Sequence, residues 1–310
     1  MPGATVDILL AACQSARYLR EQLESLLAQD FADYRVLIRD GGSTDGTVPM
    51  IRAWCADHPE HFLYLGSGTA GTKANFAALL AASEAPYIMF CDHDDRWMPD
   101  KVSASLARCR ELEAQNPAGT PVMVFSDALV TDAAMQVIDR SNFHFQHLDP
   151  ARVSLRDELL QNVPFGNTMC FNRALLDKAG PVPEAAFMHD HWLALTAARF
   201  GAIGRLDRPT LCYRQHPENL LGSPCFTLPH LLHQAIFART QLQQRIAAYC
   251  RQAAAFRDRF GAELTPAERA MLEELAGLPE AGFWERRARL WRSGAGKHGF
   301  RRTLGLYVIL

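Results

Sequence analysis

No run of about 18 apolar residues occurs anywhere in this 310-residue chain, so no membrane-spanning helix is expected. Charge of one sign is scarce too. The 32 Lys and Arg against 34 Asp and Glu leave a net charge of −2, which argues against a general polyanion binder. The eight cysteines form no CxxC pair, which removes both a disulfide framework and the usual zinc-ligand spacing. Several lie inside apolar runs, as buried free thiols do, a pattern suited to a reducing compartment. No basic segment with a long apolar core precedes the strand-like Val6–Ala12, so no signal peptide is expected. The GxGxxG fingerprint is missing, and a dinucleotide is therefore not indicated. What remains is a chain 48% hydrophobic, able to bury a large core.

The first half alternates. Strand-like runs at 6–12, 34–38, 62–65, 87–91 and 122–126 are separated by helical patterns at 16–29, 47–56, 74–83 and 100–114. Such alternation predicts an α/β fold, with a Rossmann-like, mostly parallel sheet flanked by helices on both faces. Residues 128–220 are less regular, with one clear helix at 190–199. Beyond 222 the pattern turns helical over 226–258 and 265–291. The expected domains are thus 1–222, with halves of about 1–127 and 128–222, and a helical appendage over 223–310.

The most informative stretch is Tyr87-Ile88-Met89-Phe90-Cys91-Asp92-His93-Asp94-Asp95. An apolar run reads as a buried strand, and the carboxylates after it would sit at the sheet edge where open α/β folds bind ligands. Clustered like charges need neutralising, and a hard divalent cation shared with phosphate does that. A solvated acidic turn is the alternative. Three other segments carry chemistry: Ala11-Ala12-Cys13-Gln14 at the end of the first strand; Arg39-Asp40-Gly41-Gly42-Ser43-Thr44-Asp45-Gly46 after the second; and His189-Asp190-His191-Trp192, paired with Tyr213-Arg214-Gln215-His216.

In that order and at those separations, the four segments resemble the family 2 glycosyltransferases of the GT-A fold. The closer likeness is to the rhamnosyltransferase-like branch of bacterial surface polysaccharide synthesis. The resemblance covers about residues 6–222. It implies an inverting, metal-dependent transfer of a sugar, L-rhamnose from dTDP-rhamnose, to a hydroxyl of a polysaccharide or lipopolysaccharide precursor, with a UDP-hexose donor as the alternative. Asp94 matches the metal ligand of the DxD element for Mg²⁺ or Mn²⁺, with His216 a second ligand or a phosphate hydrogen-bonder. Asp92 would hold the ribose or a metal-bound water, and Arg214 would grip the diphosphate.

Ala11, Ala12 and Asp40 fall where the family contacts the nucleoside, although the family's usual second acid is Gly41 here. Lys73 and Asn75 open a helix near the donor, where a solvated lysine is the alternative. Asp190 falls at the catalytic base, which takes the acceptor proton; a plain helix-N-terminal carboxylate is the other reading. Asn167, Thr168, His191 and Trp192 are expected acceptor contacts, with packing as the alternative for His191 and Trp192.

The tail sets Arg286, Arg287, Arg289, Arg292, Lys297, Arg301 and Arg302 beside Trp284, Trp291, Phe300 and Leu304. Such a tail suits either peripheral contact with the inner membrane, near a lipid-linked acceptor, or packing on the protein itself. The expected location is cytoplasmic, and no nucleic-acid partner is expected. A sugar-1-phosphate nucleotidyltransferase would need a Gly-rich basic loop after the first strand, where Cys13-Gln14-Ser15 stands. A non-catalytic glycan-binding module would be expected to have lost Asp92, Asp94 and Asp190.

Overall fold

The computed structural model describes residues 3–68, 71–217 and 239–310. The chain begins with β1 (Val6–Ala12), α1 (Leu19–Leu27), β2 (Tyr34–Asp40), α2 (Thr47–Asp57), β3 (Phe62–Ser67), α3 (Gly71–Ala82), β4 (Tyr87–Asp92), β5 (Arg96–Trp97) and α4 (Lys101–Ala114). There follow β6 (Val122–Thr131), β7 (Val137–Asp139), α5 (Asn142–Phe145), α6 (Leu155–Glu158), a 3₁₀ turn (Gly166–Thr168), β8 (Cys170–Asn172), α7 (Arg173–Ala179), α8 (His189–Phe200) and β9 (Ala202–Arg214). Four more helices close the described chain: α9 (Arg239–Phe260), α10 (Pro266–Ala276), α11 (Phe283–Ser293) and α12 (Phe300–Ile309). The expected domain boundary near 222 and the first part of the helical pattern at 226–258 lie outside the described residues.

The strands form one sheet in the order β3-β2-β1-β4-β8-β6-β9-β5, with β7 beside β6. The first four run parallel; β8 is antiparallel to both its neighbours. After β3 the chain crosses back to the other side of β1, so β1 and β4 flank a topological switch point, and their C-terminal ends open a crevice there. Register places Ala11 beside Asp92 and Ala12 beside Asp40.

Both faces of the sheet are covered, as the near-continuous apolar run of β1 requires. Ile8, Leu10 and Ala12 point into a core shared with α1, α2 and α4. Leu9 and Ala11 point into a second core with α3, α7 and α8. That second core also takes Tyr249, Phe256 and Phe260 of α9, Leu272 and Leu275 of α10, Leu290 of α11 and Leu306 of α12. The tail thus packs on the sheet domain.

The single helical pattern expected over 265–291 is broken into α10 and α11 by the turn through Gly277 and Gly282. Thr265 and Glu268 form a capping box, with Pro266 at the first helical position, and start α10 sharply. The seven described cysteines are free thiols.

Candidate active site

A cavity of about 1440 Å³ opens at the β1/β4 switch point. Ala11 and Ala12 end β1 on its floor, with Gln14, Tyr18 and Asn75 beside them. The narrow approach explains Gly41. A Cβ there would lie 3.0 Å from Asn75 Nδ2, 3.2 Å from Cys13 Cβ and 3.3 Å from the Ala12 carbonyl oxygen. A side chain at the position of the family's second acid would therefore crowd these neighbours by a few tenths of an ångström.

β4 delivers Asp92 to the cavity and the following turn delivers Asp94. His216, just past β9, sets Nε2 2.8 Å from Asp94 Oδ2, and its ring packs 4.8 Å from that of Tyr18. Burial, then the neighbouring Asp94 and Asp190, push the Asp92 carboxyl up to about 7. Asp95 turns the other way, into the protein. It accepts from Asn167 Nδ2 at 2.6 Å and from the Arg214 backbone N–H at 3.2 Å. Burial and the two nearby aspartates push it well above the usual carboxylate range.

Two carboxylates and an imidazole on one rim suit a hard cation that completes its shell with phosphate oxygens. Among the described residues no three His, Cys, Asp or Glu side chains form a metal cage by themselves. A cation here would therefore need ligands from the substrate.

On the same cavity, Asp190 stands in the first turn of α8. Its Oδ2 accepts from Asn162 Nδ2 at 2.9 Å and from the Gly166 N–H at 3.0 Å, while Oδ1 accepts from the His191 N–H at 2.8 Å. Burial nevertheless outweighs these bonds and pushes its carboxyl up to about 6. Such a group is ionised at neutral pH, yet more basic than an ordinary aspartate. His189 beside it stacks on Phe76 at 4.0 Å, and burial pulls it down to about 3, so it is neutral.

Several expected contacts lie elsewhere. Asp40 closes its own turn, accepting from the Gly42 and Ser43 N–H groups at 2.8 and 2.9 Å; burial opposes its charge, but these bonds outweigh it and hold it low. Lys73 donates to the carbonyls of Glu184 and Ala186 and tethers that loop. Thr168 bonds the Phe165 carbonyl at 2.7 Å inside the 3₁₀ turn. Arg214 is 2% exposed, donates to the Asp94 and Ala133 carbonyls at 2.8 and 2.7 Å, pairs with Glu21 and lies over the Tyr18 ring. It braces the acidic turn through the Asp94 carbonyl and does not line the cavity.

His191 reaches the cavity wall, but Gln252 Nε2 donates to its Nδ1 at 3.1 Å and its Nε2–H donates to the Glu158 carbonyl. Both nitrogens are thus occupied, and burial pulls it down to about 4. Trp192 is fully buried, packs against Phe256 and Phe260, and donates to the Ala179 carbonyl, so it cannot stack on a sugar. Ala11, Ala12, Asn75, Asp92, Asp94, Asn167, Asp190 and His216 do meet on the cavity.

Asn162 and the α12 wall were not foreseen. Neither has a local sequence signal, because each reaches the site only through tertiary packing.

The chain belongs to the glycosyl transferase family 2, whose model matches residues 7–176. An uncharacterized glycosyltransferase of Nostoc sp. is 27% identical over 225 residues, 69% of this chain and 66% of that protein, so the match spans just under two thirds of that relative. A dTDP-rhamnosyl transferase of Shigella flexneri is 25% identical over 218 residues, 66% of this chain and 71% of its own. Among solved structures, Staphylococcus aureus TarS 1-349 with UDP-GlcNAc superposes with a TM-score of 0.56 at 15% identity, covering 94% of this chain and 93% of that one. A Pyrobaculum calidifontis mannosyltransferase with GDP-Man and Mn²⁺ gives 0.51 at 17%, covering 94% and 86%. These structures share the fold, the GT-A arrangement that the resemblance implied.

Proposed function

We propose that the chain is an inverting glycosyltransferase that moves a sugar from a nucleoside diphosphate donor to a hydroxyl of a cell-surface glycan precursor. The observation that carries this reading is the meeting of Asp92, Asp94 and Asp190 on the lining of one cavity, at the switch point of the sheet. L-Rhamnose from dTDP-rhamnose is the proposed donor sugar, supported by the Shigella relative. A UDP-hexose is the second reading, favoured by the UDP-GlcNAc bound to TarS.

Asp94, with Asp92 and His216, would hold a Mg²⁺ or Mn²⁺ ion. When bound, that ion supplies charge neutralisation for the departing diphosphate. Ala11, Ala12 and Asn75 shape the nucleoside floor. Arg214 fixes the acidic turn through the Asp94 carbonyl, and Asn167 fixes it through Asp95.

Asp190 takes the proton from the acceptor hydroxyl as that oxygen attacks the anomeric carbon from the face opposite the diphosphate. The carbon–oxygen bond to the donor phosphate breaks with its electron pair on the leaving oxygen, and the configuration inverts. The bonds from Asn162 and Gly166 aim the carboxylate, and its raised basicity suits proton transfer near neutral pH. Peripheral contact with the cytoplasmic face of the membrane belongs to the same reading. It is supported by Trp284 and Trp291, both 78% exposed, beside the tail's arginines. Among the described residues no helix is long and apolar enough to cross a membrane.

The test is release of nucleoside diphosphate from a panel of dTDP- and UDP-sugars with Mn²⁺. Metal-dependent release from dTDP-rhamnose supports the full reading. Release from a UDP-hexose alone replaces the sugar. No release from any donor, with or without glycan acceptors, overturns the assignment.

A further inference from the structure

One face of α9 is turned to the active site. Arg245 and Tyr249 on that face line the cavity, and Gln252, one turn further along, is fully buried. This helix lies beyond residues 7–176, the part that the family model matches.

Gln252 spends both ends of its amide on the segment that carries Asp190. Its Oε1 accepts from the Phe187 N–H at 2.8 Å, and its Nε2 donates to His191 Nδ1 at 3.1 Å. A backbone N–H can only donate, so the amide oxygen must face Phe187 and the NH₂ must face His191. Nδ1 is then the bare nitrogen of the ring. The ring proton sits on Nε2, where the Glu158 carbonyl accepts it. One orientation of the amide and one tautomer of the imidazole satisfy all three bonds. The relay ends at the proposed base, because the His191 backbone N–H donates to Asp190 Oδ1 at 2.8 Å.

The start of α8 depends on such outside support. Its N-cap, Met188, makes no side-chain capping bond. α3 holds the segment through Lys73 Nζ, 2.9 Å from the Ala186 carbonyl oxygen, and through Phe76, stacked on His189 at 4.0 Å. α9 holds it through Gln252, with the Phe187 ring 4.6 Å from that of Tyr249. The apolar contacts of Trp192 with Phe256 and Phe260 have no such direction. Loss of the Gln252 amide leaves a buried N–H and a buried ring nitrogen without these partners, and both are then driven to rearrange.

We infer that Gln252 is a positioning residue for the transfer: by fixing Phe187 and the His191 ring it sets the first turn of α8, and through the His191 N–H it sets the carboxylate of Asp190. This inference rests on the transferase reading, with Asp190 as the base.

Gln252→Met keeps the side chain's bulk and removes both bonds. It is compared with wild type and with Asp190→Asn by nucleoside diphosphate release from dTDP-rhamnose and from UDP-GlcNAc, with Mn²⁺ and with water as acceptor, from pH 5 to 8. Rates are taken per folded molecule. In Gln252→Met, kcat is expected to fall by about 10–100-fold while KM for the donor stays within about twofold, as when a reacting group is slightly misplaced. The pH profile separates positioning from bulk stability. Burial raises the Asp190 carboxyl to about 6 and the His191 N–H bond opposes that rise, so loosening the bond moves the rise of rate with pH further upward. The other ionisable groups in electrostatic reach are Asp92 of β4, Glu158 of α6 and Tyr249 of α9, with neutral His189 and His191 on α8 itself; the substitution replaces none of them. A glutamine that only stabilises the fold would lower the melting temperature and leave kcat and the profile in place. Should Gln252→Met fail to fold, Gln252→Asn keeps the amide on a shorter stem that reaches one partner but not both, and the same two changes are expected at smaller size.

Wild-type kcat and profile in either folded variant would overturn the inference. A lower kcat with the profile unmoved would overturn it too, because the effect would then bypass the His191 N–H. In both cases an inactive Asp190→Asn shows that only this inference has failed. Wild-type rates in Asp190→Asn remove the base, and no release by wild type from either donor removes the transferase reading; this inference falls with each of them.

Discussion

The two walls of the cavity are made in different ways. The sheet wall carries acids at strand ends, where β1 and β4 part and the backbone itself delivers Asp92 to the crevice. The tail wall carries bases and apolar side chains on α9, α12 and the loop before α12, held there by packing through Tyr249, Leu306 and their neighbours and by hydrogen bonds such as those of Arg302 to the Gln146 carbonyl and of the His298 N–H to Gln161. On the sheet wall, position along a strand decides which residue faces the ligand. On the tail wall, only the assembled core does. A change at a strand end should therefore alter chemistry with little loss of stability, and a change in the packing beneath α8 and α9 should do the reverse.

The largest expected effect is at Asp190. Replacing it with Asn should lower transfer by about 10²–10⁴-fold, the usual contribution of a general base. Donor binding, read by calorimetry, should stay near wild type. Near-normal turnover would remove Asp190 from the chemistry.

Gly166→Ala tests the same group from behind. The new Cβ would sit 3.2 Å from Asp190 Cβ and 3.4 Å from Oδ2, so the carboxylate must move. Turnover should fall by about 10–100-fold, as small misplacements of reacting groups do, with donor affinity kept. Wild-type turnover in this variant would mean that the aim of the carboxylate is unimportant.

Trp192→Ala sharpens the contrast. It should cost about 3–5 kcal/mol of stability in denaturant titration, as for a buried aromatic, while the folded fraction turns over normally. Loss of turnover without loss of stability would restore Trp192 to the acceptor site.

The smallest effect is in pH. Asp190 is pushed up to about 6 in the folded chain from an ordinary 3.8. The folded state holds that proton more tightly, so the group's contribution to stability is full below 3.8 and is lost as pH rises through about 6. Metal-free Asp190→Asn should melt above wild type at pH 7.5 and close to it at pH 4. Transfer should rise with pH through about 6, because the base must be ionised. A flat rate profile from pH 5 to 8 would contradict the assignment.

The sheet wall was largely legible in the sequence because strand ends are local. β1, β2 and β4 carry their apolar runs and turn residues in plain order, so Ala11, Asp92 and Asp94 were placed on the cavity without structural help. Legibility stopped where one residue had two uses. Asp40 and Thr168 have the right chemistry for a ligand but spend it on their own turns. Arg214 reads as a phosphate clamp in a tetrapeptide, yet its guanidinium is consumed by carbonyls and Glu21 behind the acidic turn. Trp192 stands close to the proposed base in sequence, but the helical turn rotates it into the core, and His191 reaches the cavity wall with both ring nitrogens spent on Gln252 and the Glu158 carbonyl. The tail's basic residues were visible as a cluster. That four cations from α9, α12 and the loop before α12 share a cavity with Asp190 follows only from the packing of α9 and α12.

The most direct test of the central claim is thermal unfolding of wild type and Asp94→Ala with nucleotide sugars, each with and without Mn²⁺. A ligand of the folded state raises the melting temperature. The account predicts a rise for one donor that requires Mn²⁺ in wild type and is absent in Asp94→Ala. A rise of equal size without metal, or one retained in Asp94→Ala, would contradict it.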